Sequence, residues 1–111
     1  MAASIILGGQ RSMKIAISQP MRGKTTKEIL AERAGVVAKL ENMGIEVVNT
    51  ILDISEGKSP IYYLGESIKK LSEADAILFM PGWELSRGCF IEHQVAEEYG
   101  KPIILLPFEG E

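Results

Sequence analysis

Four short apolar runs, separated by three stretches of helical periodicity, constrain this chain more than any other feature. The runs are Lys14-Ile-Ala-Ile-Ser18, Ile45–Asn49, Asp75–Met80 and Pro102–Leu106. Each is too short for a helix and nearly continuous in its hydrophobicity, the signature of strands covered on both faces. Alternation of such strands with helices implies an α/β fold with a parallel sheet.

The intervening stretches carry helix signals. Thr25-x-x-Glu28 is a capping box, and Ile29, Arg33, Val36, Val37 and Leu40 follow at helical spacing as far as Gly44, a helix end. Asp53–Ser59 is polar and contains glycine, so it reads as a loop. Ser59-Pro60 combines an N-cap with proline in the first helical position, and Ile61, Leu64, Ile68 and Leu71 supply an apolar stripe. Gly88–Tyr99 is the third helix, ended by Gly100. Met13 opens the first strand pattern, so Met1–Ser12 reads as a leader or an expression remnant and residues 13–111 as one domain.

Right-handed crossovers then predict a flavodoxin-type, Rossmann-like three-layer sandwich with strands in the order 2-1-3-4. The winding reverses between strands 1 and 3, and ligands of such sheets bind at the C-terminal ends of those two strands. The loops there are Ser18-Gln-Pro-Met-Arg-Gly23 and Pro81-Gly-Trp-Glu-Leu-Ser-Arg-Gly88, which are also the most unusual stretches of the chain.

At ~100° per residue, Glu92 falls in the middle of the small and apolar face of the third helix, among Cys89, Val95, Ala96, Gly88 and Tyr99. A carboxylate on a core-facing stripe is costly unless it is paired, protonated or functional. Glu92 is therefore either the chemical centre or an ion-paired core residue reaching Arg22 or Arg33. Ser86, Arg87 and Gly88 open the same helix, where free N–H groups favour an anion, and Arg22-Gly23 offers a cation from the facing loop. Trp83 is either a platform for a base or a packed loop anchor. Tyr63 and Ser67 share an edge of the second helix and face the same site. His93 has no metal-ligand partner nearby and reads as exposed or structural, Cys89 has no catalytic context and reads as packing, and Asp75 at the start of the third strand reads as structural.

Composition narrows the partners. The formal net charge is −3, and no Lys/Arg run of the kind that grips a nucleic-acid backbone is present. No apolar run approaches the length of a membrane span. The single cysteine points away from an oxidising compartment and towards the cytoplasm. A chain of 111 residues buries a modest core, which favours a homodimer or larger homo-oligomer.

The segments Ile17-Ser-Gln-Pro-Met-Arg-Gly23 and Asp75-Ala-Ile-Leu-Phe-Met-Pro-Gly-Trp-Glu-Leu-Ser-Arg-Gly-Cys-Phe-Ile-Glu-His93 resemble the nucleoside 2-deoxyribosyltransferase-like superfamily. They are most similar to a group of small bacterial and phage proteins placed beside it. The resemblance spans nearly all of Met13–Pro107. It implies attack by Glu92 on the anomeric carbon of a 2-deoxyribosyl unit, giving a covalent glycosyl-glutamate, with no cofactor or metal. The spacing Ser86-x-Gly88-x-x-x-Glu92 and the pair Arg22-Gly23 are similar to the deoxynucleoside 5′-monophosphate N-glycosidases, in which the serine and glycine help hold the phosphate. The resemblance thus implies an N-glycosidase with Glu92 and Ser67 as catalytic positions, and Ser18, Gln19, Pro20, Met21, Arg22, Gly23, Tyr63, Trp83, Ser86, Arg87 and Gly88 around the substrate. A base-exchanging deoxyribosyltransferase and a non-catalytic nucleotide-binding or sensor protein are the alternatives. One position departs from the family pattern. Ser67 stands where those enzymes carry an aspartate that protonates the leaving base, and a serine hydroxyl is a poor acid near neutral pH. Glu66, Tyr63 and Glu84 are the remaining donors within reach.

Overall fold

In the computed structural model of the chain, which describes residues 12–107, the elements run β1 (Lys14–Ser18), α1 (Thr26–Asn42), β2 (Glu46–Val48), α2 (Pro60–Ser72), β3 (Ala76–Phe79), a single 3-10 turn (Trp83–Leu85), α3 (Arg87–Glu98) and β4 (Ile103–Leu105). Met1–Arg11, most of the segment read as a leader, lies outside the described residues. All strand pairings are parallel and the order is β2-β1-β3-β4, the predicted α/β arrangement. Among the described residues, no helix is long and apolar enough to cross a membrane.

The strands are shorter than the apolar runs that announce them. Ile45 donates its N–H back to Leu40 O at 3.0 Å, closing α1 instead of joining β2. Asp75 and Met80 flank β3 and still donate to Lys14 O and Ser18 O, at 2.7 and 2.9 Å. The interstrand hydrogen bonding of β3 therefore reaches one residue beyond each of its ends.

The helix starts follow their capping residues. Thr25 and Glu28 form the reciprocal capping box of α1. Ser59 caps α2 by accepting from Tyr62 N, with Pro60 in the first turn. Ser86 caps α3 by accepting from Cys89 N, which moves the helix start to Arg87, one residue before the expected Gly88. Such caps satisfy N–H groups that have no partner within the helix.

Alternation along the strands divides the core into two layers. Ala16, Ile77 and Phe79 pack with Leu71 of α2, Ala74 and Ala96 of α3. Ile15, Ile17 and Leu78 face the other way and pack with Val36, Val37 and Leu40 of α1. Full burial of a side chain such as Phe79, Ile15 or Leu78 contributes roughly 1.5–3 kcal/mol. Two expected core positions lie outside. Ile61, in the first turn of α2, is 77% exposed, whereas Leu71 at the other end of the helix is the residue that joins the core. Tyr99 is 85% exposed, because it is the C-cap of α3 and has left helical geometry, so the wheel no longer applies to it.

Candidate functional site

Ser18 and Gln19 leave the end of β1 on opposite faces, as strand alternation requires. Ser18 continues the Ala16 face and meets α3, where its hydroxyl donates to Glu92 Oε1 at 2.6 Å. Gln19 continues the Ile17 face and meets α1. Its amide nitrogen donates to Ile29 O and to Glu32 Oε1, both at 3.0 Å, and its oxygen accepts from Arg33 Nε at 2.7 Å. Glu32 also takes Lys24 Nζ at 2.9 Å. The loop after β1 is thereby tied to α1 through a chain of polar contacts.

Glu92 is 6% exposed and lies on the buried stripe of α3 between Cys89 and Ala96. Its second oxygen, Oε2, accepts a short hydrogen bond from Ser67 Oγ of α2. Three elements thus converge on one carboxylate. The hydroxyls offset part of the cost of removing the charge from water. They also fix the plane of the carboxylate while leaving lone pairs on each oxygen. The expected alternative, an ion pair from Glu92 to Arg22 or Arg33, is not what forms. Arg33 binds Gln19, and Arg22 is exposed at the edge of the cleft.

Glu92 borders a cleft of about 800 Å³ at the C-terminal ends of β1 and β3, the position predicted from the strand order. Small-molecule sites typically have this size. Ser18, Gln19, Pro20, Met21, Arg22, Tyr63, Ser67, Ser86, Arg87 and Gly88 all line it. At Gly88 a Cβ would meet no atom within 4 Å, so this helix start is open to a ligand. Arg22, Lys24 and Arg87 bring positive charge to the same cleft. Among the described residues, no three His, Cys, Asp or Glu side chains converge to hold a metal ion.

Trp83 and Gly23 are placed differently from expectation. Trp83 is not part of the lining. Its ring stacks on His93, with centroids 4.0 Å and planes 9° apart, and it also packs against Phe79. It is the loop anchor, not the base platform, and its partner explains the lone histidine as structural. Gly23 lies behind Arg22 with φ +77°, a turn conformation, and does not border the cleft.

Burial disfavours the charge on Arg33 and lowers its pKa. One guanidinium nitrogen, Nη2, has no hydrogen-bond partner among the described residues. Burial likewise raises the Cys89 thiol pKa, an effect that hydrogen bonding to Ser18 and Ser86 opposes and the Glu92 carboxylate reinforces. This thiol is a packed neighbour of Glu92, in keeping with the structural reading.

Sequence reasoning missed the wall contributed by Ile51, Leu52 and Ile54 after β2. A signal was available. These are apolar residues in a polar loop that leaves the same end of the sheet as the two recognised loops.

The sequence family described as "Domain of unknown function (DUF4406)" matches residues 13–105, and the chain belongs to it. No curated protein matches the chain, and no solved structure does.

Proposed function

We propose that this member of the DUF4406 family is an N-glycosidase of 2′-deoxynucleoside 5′-monophosphates. One observation carries the reading: a buried carboxylate, Glu92, held by two hydroxyls at the wall of a ligand-sized cleft. A carboxylate oriented in this way is suited to nucleophilic attack. A Glu92 oxygen attacks C1′ of the sugar, and the C1′–N bond breaks with its electron pair going to the base. Water then attacks C1′, the ester bond returns its pair to Glu92, and 2-deoxyribose 5-phosphate is released. The water's proton passes to solvent.

The remaining groups divide the ligand between them. Ser86, the open start of α3 at Gly88, Arg22 and Arg87 receive the 5′-phosphate. Tyr63, with Ile51 and Leu52, borders the space left for the base. The same reading places the protein in the cytoplasm, with its single thiol reduced.

The test is release of free base from a panel of deoxynucleoside monophosphates, followed by chromatography. Glu92→Gln keeps the shape of the side chain and removes its charge, so it abolishes release while preserving the fold. Undiminished turnover in that variant overturns the assignment. Ser67, a hydroxyl where an acid would assist the departing base, favours a second reading, a nucleotide-binding protein that does not turn over. Tight binding of monophosphates without release of base from any substrate would select it.

A further inference from the structure

The cleft holds its nucleophile more completely than it provides for its leaving group. The Ser67 hydroxyl, the α2 group nearest the reacting centre, gives its proton to Glu92 Oε2 and has no second one to offer a base. Glu66, one residue earlier, is held by Lys69 Nζ at 2.8 Å and does not border the cleft. Glu84 does not border it either. Among the described residues lining the cleft, the titratable side chains besides Glu92 are Arg22, Lys24, Arg87, Cys89 and Tyr63. The first three are the basic side chains that the reading assigns to an anion. The Cys89 thiol is buried, its pKa raised, and packed against Glu92. The Tyr63 phenolic oxygen accepts from Lys58 N at 3.0 Å, and among the described residues it makes no hydrogen bond to Ser67 or Glu92, so whether its own proton serves the base is decided by Tyr63→Phe below.

We propose that the substrates are deoxynucleoside 5′-monophosphates whose base departs without a proton from the protein. The base is either already cationic through alkylation of a ring nitrogen or electron-poor enough to leave as a stable anion. This inference rests on the glycosidase reading of the same site and narrows its substrate class. In the cationic case Glu92 bonds to C1′, the C1′–N9 pair goes to the purine, and the alkylated purine leaves neutral. In the anionic case the C1′–N1 pair goes to the pyrimidine, and solvent protonates it after departure. Neither route needs an acid on α2. An unmodified purine or thymine does need one, because its ring nitrogen leaves poorly with an unshared negative charge. Positioned general acids contribute about 10²–10⁴-fold to such steps, so discrimination on that order is expected.

The experiment compares base release from 7-methyl-dGMP with dGMP, and from 5-fluoro-dUMP with dTMP, each corrected for its rate in buffer. The activated member of each pair reacts about a hundredfold faster or more in kcat/KM. Ser67→Asp places a second carboxylate beside Glu92, where the two share a proton and one becomes a usable acid. That variant gains more on dGMP and dTMP than on the activated pair, so the ratio within each pair narrows. Tyr63→Phe loses no more on dGMP than on 7-methyl-dGMP. Equal rates within both pairs in the wild type overturn the proposal, as does a selective loss on the unmodified bases in Tyr63→Phe, since either reveals an acid at work. Should Ser67→Asp fail to fold, the wild-type pairs and Tyr63→Phe still decide. Absence of release from all four nucleotides, with wild type and Glu92→Gln alike, overturns the glycosidase reading itself together with this narrowing.

Discussion

Ser18 and Glu92 are 74 positions apart in the chain, yet the hydroxyl of the first lies 2.6 Å from the carboxylate of the second. The contact joins the end of the central strand β1 to the middle of α3. It therefore has a structural as well as a chemical role. A hydrogen bond to a charged group contributes roughly 1.5–3 kcal/mol. Ser18→Ala should destabilise the fold by about that amount in urea unfolding. In a Glu92→Leu background, where no carboxylate needs the hydroxyl, the same substitution should cost about 1 kcal/mol or less. An identical cost in both backgrounds would show that Ser18 acts through packing and not through Glu92.

How much of this was legible depends on the range over which each feature is decided. The α/β alternation, the caps at Thr25, Ser59 and Ser86, and the buried stripe carrying Glu92 are set by residues within one or two turns of each other. Periodicity reports these directly. The convergence of Ser18 and Ser67 on Glu92 depends on how α2 and α3 lie across the sheet, which no local pattern records. Trp83 illustrates the same limit. Its aromatic face suits a base and an imidazole equally, and only the register of α3 puts His93 beneath it. Arg33 was legible as a position on the inner stripe of α1 but not in its role. Its hydrogen bond to Gln19 arises because β1 delivers Gln19 to that face.

Phosphate recognition can be separated from the rest of the ligand. Arg22 is exposed and lines the cleft, so Arg22→Ala should leave stability nearly unchanged. A charge-assisted contact of about 1.5–3 kcal/mol corresponds to roughly ten- to a hundredfold in affinity. Calorimetry should therefore show deoxynucleoside monophosphates binding Glu92→Gln protein more tightly than the parent nucleosides, with Arg22→Ala closing most of that gap. Ser86→Ala should weaken phosphate binding too, but at an additional stability cost of about 0.5–2 kcal/mol from the lost cap of α3. Equal affinities for nucleoside and monophosphate would remove the phosphate from the recognised ligand.

Cys89 gives the fold an alkaline limb. Burial raises the pKa of its thiol above the ordinary value of about 9.0, so the folded state holds that proton at pH values where the unfolded chain has lost it. The stabilisation is complete below pH 9 and declines as pH rises from there through the folded value. Urea midpoints should accordingly fall above pH 9, and Cys89→Ala should flatten that fall. Iodoacetamide should label the thiol slowly in the native protein and rapidly in urea. A native thiol that reacts as fast as a free one would contradict its burial.

Phe90 lies across α3 from Glu92, 46% exposed, on a side that also carries the exposed Gln94 and Glu97. A large aromatic on an otherwise polar helical face is more often an interface residue than a solvated one, although single exposed apolar side chains do occur. The modest core of a short chain favours association as well. A homodimer or larger closed assembly is expected, with Phe90 at or near a two-fold contact, where symmetry presents the same residue from both copies. Phe90→Glu would then introduce two like charges into one interface and shift the protein towards monomer, while the helix, whose buried stripe is Cys89, Glu92 and Ala96, stays intact. Light scattering at micromolar concentration decides both points. A wild-type mass near 12.2 kDa would refute the assembly, and an unchanged oligomer in Phe90→Glu would place its interface elsewhere.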